Sequence, residues 1–151
     1  MPQRAMGRLP DQSFVDDERL FRRYRPNDLV DGKLAPASLA IPKNSGPSFV
    51  REKYAIPEDV LHPDCAGARD FSGWGIFALR VGDIPPQLPP DVPTHRFWPQ
   101  HVPLEDCYAH TEIWCNRIGQ GQTYQAPNSA TLKTLFRAMV SQHLKIVREP
   151  Q

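Results

Sequence analysis

The chain has 151 residues, of which 18 are basic and 17 acidic, so its net charge is only +1. This length and balance are typical of one globular domain and exclude a fully disordered or highly charged chain. No apolar run is long enough to cross a bilayer, and residues 1–14 lack the apolar stretch of a secretory signal. We therefore expect a cytoplasmic protein without membrane contacts, with a flexible tail over residues 1–15 and a single globular domain over residues 16–151.

The first predicted element is a short helix that follows this tail. Asp16 or Asp17 is placed to cap it, and apolar residues recur at helical spacing up to Tyr24. Pro26 disfavours helical backbone at the residue before it. The pattern therefore predicts a helix from about residue 16 to Tyr24.

Proline limits the length of every element that follows, up to residue 126. The chain holds 17 prolines, and each one removes a backbone donor and fixes φ. Asp31-Gly32 is typical of a turn, and a short strand is predicted at 48–50. Residues 57–61 begin with proline and two acids, which favours a single helical turn.

Two longer strands are predicted, at 76–81 and at 107–117. Both carry apolar side chains on each face, as expected of strands in the interior of a sheet. Between them, 84–93 contains five prolines and is predicted to be a stiff connector. A further strand is predicted at 94–98, stopped by Pro99.

The last predicted element is one long helix. Asn128 or Ser129 is placed to cap it, and it is expected to reach Val147 before Pro150. Its apolar stripe recurs at 3.6-residue spacing and comprises Leu132, Leu135, Phe136, Met139, Val140, Leu144 and Val147.

These elements together predict an α+β fold. We expect a small, mostly antiparallel sheet, rich in loops and prolines, packed against the C-terminal helix. The core is expected to include Phe77, Trp98, Trp114 and Phe136.

The three cysteines, Cys65, Cys107 and Cys115, are an odd number in a chain expected in the cytoplasm, which predicts free thiols. The alternative is a zinc site formed by these cysteines with His110. The spacing lacks a C-x-x-C pair, so no metal or other cofactor is predicted.

The strongest candidate for catalysis is His110-x-Glu112. In a strand, side chains at i and i+2 point to the same face, so a carboxylate would lie beside an imidazole. This arrangement suits general acid–base chemistry. Tyr108 and Trp114 are expected on the same face, and Cys107 and Cys115 on the opposite face. The alternative is an ordinary polar strand face.

A first basic cluster comprises Arg19, Arg22, Arg23 and Arg25, interleaved with two aromatic residues. Guanidinium groups can neutralise phosphate, and exposed aromatic rings can stack on bases. The alternative is that the aromatic side chains face the core and that the arginines are solvated or pair with the acids at 16–18 just upstream.

A second basic stripe is predicted on the last helix. Lys133, Arg137, Lys145 and Arg148 would share one helix face, and residues 113–148 contain five bases and no acid. Residues 54–112 contain nine acids and three bases, a net charge of −6, so the chain is strongly asymmetric.

Two functions fit these patterns. The first is a binding module whose basic residues, Arg22, Arg23, Arg25, Lys133, Arg137 and Lys145, meet an acidic protein or nucleic acid. The second is a small enzyme that uses His110 and Glu112 on a nucleotide-like substrate, with an arginine to hold the anionic group. A concave pocket that joins these groups would favour the enzyme, and a convex basic face would favour the module. Ser48 follows a proline in Gly-Pro-Ser, which is not a typical nucleophile context.

Overall fold

The computed structural model describes residues 9–35, 47–66, 69–88, 93–118 and 130–151, with side chains of the last segment described from 133. The predicted features at 36–46, 89–92 and 119–129 lie outside this part of the chain. The described elements are β1 (Arg19–Tyr24), β2 (Leu29–Val30), β3 (Lys33–Leu34), β4 (Ser48–Arg51), β5 (Gly75–Arg80), β6 (Gln87–Leu88), β7 (His95–His101), β8 (His110–Arg117), α1 (Ala130–His143) and β9 (Lys145–Arg148). Short 3₁₀ turns occupy Pro26–Asp28, Glu52–Tyr54, Pro57–Leu61 and Val81–Asp83.

Seven of the strands form one sheet in the order β6-β7-β8-β4-β1-β5-β9. Every pairing in this sheet is antiparallel, and α1 is the helix that packs against it. The α+β prediction is therefore confirmed. Both strands predicted to be interior, β5 and β8, have a partner on each side. None of the described helices is long and apolar enough to span a membrane.

The hairpin of β2 and β3 forms a separate two-stranded sheet. Its turn residues, Asp31 and Gly32, have φ angles of 53° and 76°. A two-residue turn with positive φ at both positions matches the twist of a hairpin, and Asp-Gly adopts it readily. The predicted turn is confirmed.

One face of the sheet, the helix face, is covered by α1. Phe136, Met139 and Val140 of α1 are buried there, and Phe136 stacks on Phe97 of β7 with ring centroids 5.6 Å apart. The strands contribute the rest of this core, including Leu20, Phe49, Phe77, Leu79, Ile113 and Cys115. Burial of each such side chain contributes about 1.5–3 kcal/mol.

The opposite face, the loop face, is covered by residues 52–66 and 69–74. The Pro57–Leu61 turn places Val60 and Leu61 on this face, where they are buried. The strands contribute a second set of buried side chains, including Phe21, Val50, Ile76 and Ala78. Because both faces are covered, the interior strands are apolar on each side.

Gly75 is the position in the sheet that most clearly requires a glycine. It pairs with Tyr24 across β1 and β5, and a Cβ atom there would lie 2.6 Å from the Tyr24 ring and 2.8 Å from the Arg148 carbonyl oxygen. The Tyr24 ring is therefore able to lie across the backbone of β5 only because the side chain is absent.

The predicted helix up to Tyr24 is wrong, because residues 19–24 form strand β1. Leu20 and Phe21 are both completely buried but belong to opposite faces of the sheet. A helix would bury a single stripe, whereas a strand between β4 and β5 buries both side chains and satisfies its backbone hydrogen bonds. Sheet pairing therefore overrides the helical spacing.

The predicted C-terminal helix is too long, because α1 ends at His143. Residues 145–148 then form β9, which pairs with the edge of β5. Lys145 and Arg148 therefore lie on a strand and not on the helix with Lys133 and Arg137. The predicted basic stripe is divided between two elements.

Two strand boundaries also differ from prediction. β7 continues through Pro99 to His101, because β6 pairs only with His95 and Arg96 and leaves the far side of β7 as an edge. An edge strand tolerates a residue without an N–H. β8 begins at His110, and the preceding residues form a turn in which the Cys107 amide bonds to the Leu104 carbonyl oxygen (3.2 Å).

The predicted core is confirmed for Phe77 and Phe136, each 1% exposed. Trp98 and Trp114 are instead half-buried and contact each other edge to face, with ring centroids 6.3 Å apart. Each indole N–H donates to a side chain two residues away, Gln100 or Glu112. A large ring with a polar N–H is stable at this boundary.

The Arg51 cluster is a buried polar group at the end of β4. Arg51 is fully buried and donates to both carboxylate oxygens of Glu18 (2.9 and 2.8 Å) and to the carbonyl oxygens of Asp11 and Ser13. Asp11 also accepts from Lys53 and Tyr54. These contacts tie residues 11–13 of the predicted tail to the sheet, while residues 1–8 lie outside the described part.

His101 completes the Arg51 cluster. Its Nδ1 accepts from the Asp11 amide (2.8 Å), its Nε2 donates to the Tyr108 carbonyl oxygen (2.6 Å), and its ring stacks on Tyr54. Burial lowers the pKa of His101, and the nearby Arg51 charge lowers it further.

Candidate functional site

A cavity of about 290 Å³ lies where β1 and the start of β4 meet residues 60–74. This is near the lower limit of the volumes of pockets that hold small molecules. Its lining includes four arginines, Arg22, Arg23, Arg25 and Arg69, together with His110. We call it the arginine pocket.

Arg22 and Arg23 come from adjacent positions of β1, and both are half-buried. Arg22 donates from Nη1 to the Ser48 carbonyl oxygen (2.7 Å), and Arg23 donates weakly to the Val60 carbonyl oxygen (3.4 Å). Their remaining contacts are with aromatic rings: Arg22 lies over Phe49 and Arg23 over Phe71. The carbonyl oxygens and rings therefore orient each guanidinium, and Asp28 is the carboxylate of the described lining whose charge reaches Arg22.

Burial and the adjacent charge of Arg23 lower the pKa of Arg22 to about 10. Burial and the charge of Arg69 likewise lower the pKa of Arg23. Because the pKa values of both arginines are lowered, the pocket disfavours the positively charged form of each side chain. A bound anion would reverse this effect.

Arg25 and Asp28 form the one ion pair in the described lining of the pocket. Arg25 donates to Asp28 Oδ1 (3.1 Å), and the buried Asp28 carboxylate also accepts from the Arg25 amide (2.7 Å). Four arginines therefore share one carboxylate, which is already bonded to one of them. The described pocket carries an excess of positive charge.

The rest of the wall is largely apolar. Val60, Phe71 and Trp74 line the pocket, and Phe71 meets Trp74 edge to face with centroids 4.6 Å apart. Apolar side chains beside the guanidinium groups strengthen charge interactions relative to those in bulk water. Positive charge beside aromatic walls suits an organic anion with an apolar body.

His110 reaches the pocket from the first position of β8. Its Nδ1 lies 2.9 Å from the Val102 carbonyl oxygen, which can only accept, so the proton of the neutral ring is on Nδ1. Nε2 is then an acceptor, and it lies 3.3 Å from Ser48 Oγ. Pairing of β4 with β8 brings these residues together across 62 positions of the chain.

Glu112 lies beside His110 on the same face, as the alternation of the strand predicts. Its Oε2 is 4.0 Å from His110 Nδ1, and its Oε1 accepts from the Trp114 indole (2.9 Å). Glu112 does not line the pocket. It can orient His110 but is not placed to touch a ligand there. Tyr108 is not on this face as predicted; it belongs to the preceding turn and packs against Tyr54 and His101.

The predicted free thiols are wrong for two of the three cysteines, because Cys65 and Cys107 form a disulfide. Cys115 is buried in the core of the helix face, away from Cys107 on the loop face. The two cysteines were expected on one face, but Cys107 precedes the strand and does not follow its alternation. The cytoplasmic location stays a prediction that this crosslink does not support, since disulfides persist mainly in oxidising compartments.

The proposed zinc ligands do not converge, since two are joined to each other and Cys115 faces α1. Within the described ranges, no group of three histidine, cysteine or acidic side chains is placed to hold a metal ion. Burial raises the pKa of the Cys115 thiol to about 12, so it is also a poor nucleophile.

The predicted binding residues lie in three parts of the fold. Arg22, Arg23 and Arg25 share the pocket, whereas Lys133 and Arg137 lie on α1 and Lys145 lies on β9. The alternative for the first basic cluster is confirmed in that Phe21 and Tyr24 are buried in the core, but the upstream acids pair with other residues. Asp17 pairs with Arg80, Glu18 with Arg51, and Arg19 with Glu52.

Sequence reasoning missed Ser48 and Arg69 as residues of the site. Neither has a local motif, and both reach the pocket only through the tertiary arrangement of β4 and of residues 69–74. A serine that begins a predicted strand gives no signal by itself. Comparison of the chain with protein-family models, curated proteins and solved structures finds no match.

Proposed function

We propose that this protein binds a small organic anion, a carboxylate or phosphate on an apolar or aromatic body, in the arginine pocket. The observation that carries this proposal is that Arg22 and Arg23 contact carbonyl oxygens and aromatic rings in a pocket whose described lining holds four arginines and one carboxylate, Asp28, which pairs with Arg25. Bidentate guanidinium contacts are well suited to both kinds of anion.

This proposal narrows the binding module that the charge pattern suggests. The pocket is concave and joins Arg22, Arg23 and His110, which favours a small ligand, as the enzyme alternative also requires, over a convex surface for a macromolecule. A surface for an acidic macromolecule has less support, because the basic stripe is divided between α1 and β9.

Calorimetric titration with benzoate, phenyl phosphate and the neutral benzyl alcohol tests the proposal. We expect the two anions to bind and the alcohol to bind at least tenfold more weakly. Arg23→Gln should weaken anion binding about tenfold or more, since a charge-assisted hydrogen bond contributes about 1.5–3 kcal/mol.

Arg117→Gln is the matched control, because Arg117 is an exposed arginine at the far end of β8. It should leave anion binding unchanged. The proposal is wrong if neither anion binds, if the alcohol binds as well as the anions, or if the Arg117 and Arg23 variants lose affinity equally.

A further inference from the structure

Ser48 and His110 have the geometry of a nucleophile and its base. The Val102 carbonyl oxygen fixes the proton of His110 on Nδ1, which leaves Nε2 to accept the Ser48 hydroxyl proton at 3.3 Å. Such contacts are often long in an empty site and shorten when substrate binds. A serine, a histidine and a group that orients the histidine are the parts of the catalytic triad, which is defined by geometry and not by sequence order.

Both side chains also line the arginine pocket. Ser48 is half-buried and His110 is 9% exposed, so the pair faces the cavity and is shielded from bulk water. Arg22 donates to the Ser48 carbonyl oxygen and so holds the backbone of the nucleophile. The pair and the anion-binding groups are therefore within reach of one small ligand.

We propose that Ser48 and His110 cleave a small carboxylic ester that carries a separate negative charge. This inference rests on the proposed function, because the arginines would hold the charged end of the substrate. A carboxylic ester is chosen because activated serine reacts by acyl transfer, and the positive charge of the pocket would stabilise the oxyanion that forms.

The reaction has two steps. Ser48 Oγ bonds to the ester carbonyl carbon as its proton passes to His110 Nε2; the bond from that carbon to the alcohol oxygen breaks, and His110 returns the proton to the departing alcohol. Water then attacks the serine ester, and His110 takes a proton from it. The bond from the carbonyl carbon to Ser48 Oγ breaks, the proton returns to Oγ, and the free acid leaves. The sum is ester plus water giving acid plus alcohol.

Glu112 is a positioning residue in this scheme. Its carboxylate lies 4.0 Å from His110 Nδ1, close enough to favour the imidazolium that forms during each step. Its replacement by Gln should lower kcat and leave KM for the ester unchanged.

The test uses 4-acetoxybenzoate as the anionic ester and phenyl acetate as its neutral counterpart. We expect hydrolysis of the anionic ester with a kcat/KM at least tenfold above that of the neutral one. Rapid quenching should trap one acetyl group on the protein, and peptide mass spectrometry should place it on Ser48. This readout needs no variant, so it holds even if a substitution prevents folding.

Ser48→Ala should abolish the acetyl adduct, and His110→Gln should lower kcat about 10²–10⁴-fold, the usual contribution of a general base. Ser72→Ala and His62→Gln are matched controls, because both residues are exposed and neither lines the pocket. Both controls should retain full activity.

Binding of benzoate, measured in parallel, separates the two proposals. Benzoate binding without turnover or adduct would overturn the Ser48–His110 inference and leave the anion site intact. Failure of both would overturn the proposed function. An acetyl group found on a lysine instead of Ser48, with activity unchanged in Ser48→Ala, would also overturn the inference.

Discussion

Arg51 and the pair Arg22 and Arg23 lie on adjacent strands of the same sheet, and they differ in what balances their charge. Arg51 is completely buried and bonds to both oxygens of the Glu18 carboxylate, which is 5% exposed. Arg22 and Arg23 are half-buried and meet carbonyl oxygens and aromatic rings. Glu18 balances the charge of Arg51, whereas the four arginines of the arginine pocket lie beside one carboxylate of the described lining, Asp28.

Deep burial of a charged side chain does not by itself mark a binding site. The Arg51 cluster has the more deeply buried charge and the larger number of hydrogen bonds, yet its bonds are used to hold residues 11–13 against the sheet. The arginine pocket has fewer bonds and more unbalanced charge, and such groups cluster at functional sites.

The largest expected effect is on folding, from Glu18→Gln. This change leaves the buried Arg51 without its carboxylate, and breaking a buried pair in this way costs about 3–5 kcal/mol of unfolding free energy. Urea denaturation measures the loss. Glu52→Gln, which removes an ion pair with Arg19 that is 37–44% exposed, is the control and should cost about 1 kcal/mol or less. Equal losses in the two variants would contradict the comparison.

Reduction of the Cys65–Cys107 disulfide should have the next largest effect. The crosslink joins residues 42 positions apart, and its loss is expected to cost about 4 kcal/mol of unfolding free energy in the chain-entropy model. Denaturation with and without a reductant measures the difference. Because Cys65 lines the pocket, reduction should also weaken benzoate binding.

Thiol titration of the denatured, unreduced protein should find one thiol, and finding three would contradict the crosslink.

A smaller effect should appear in the pH dependence of the unfolding free energy, through His101 of the Arg51 cluster. The pKa of His101 is lowered in the folded state, so below its ordinary value of 6.5 the unfolded chain binds the proton more readily. The contribution of neutral His101 to the unfolding free energy is present above pH 6.5, and it is lost as the pH falls towards the lower pKa of the folded state. The slope for one proton cannot exceed about 1.4 kcal/mol per pH unit. Denaturation of the wild-type protein and of His101→Gln at several pH values between 4 and 7 measures the part of the pH dependence that His101 causes. An unchanged slope in the variant would mean that another group causes the pH dependence.

The smallest effect on folding is expected from Arg23→Gln. Removal of a half-buried charge without a carboxylate partner relieves its desolvation and its repulsion from Arg69, which offsets the lost contact with Phe71. The unfolding free energy should change by less than about 1 kcal/mol, although anion binding falls. A loss as large as that of Glu18→Gln would show that Arg23 is a structural residue.

The fold was predictable where local pattern and tertiary pairing agree. The strand at 76–81 shows apolar residues on both faces in the sequence, and β5 is buried on both faces. Residues 19–24 show the opposite case: Leu20, Phe21 and Tyr24 fit the spacing of a helix as well as that of a two-sided strand. Only the pairing of β1 with β4 and β5 decides between them.

The site was predictable only where its residues are neighbours in sequence. Alternation along β8 places His110 beside Glu112, and three of the pocket arginines lie within four positions. The Ser48–His110 contact and the Cys65–Cys107 bond both join distant parts of the chain, and cysteine count alone does not reveal connectivity. Long-range pairing, which no local pattern encodes, builds the rest of the site.

The glycine at position 75 bears on how this chain can vary. Tyr24 occupies the space that a side chain at 75 would need, and the Arg148 carbonyl oxygen closes the other side. Even alanine would force β9 away from β5 or displace the ring that covers the core. A smaller side chain at position 24 would remove only one of these two clashes, because the Arg148 carbonyl oxygen belongs to the backbone of β9. Any library or recombination experiment on this fold should therefore keep glycine at position 75, even where it varies position 24.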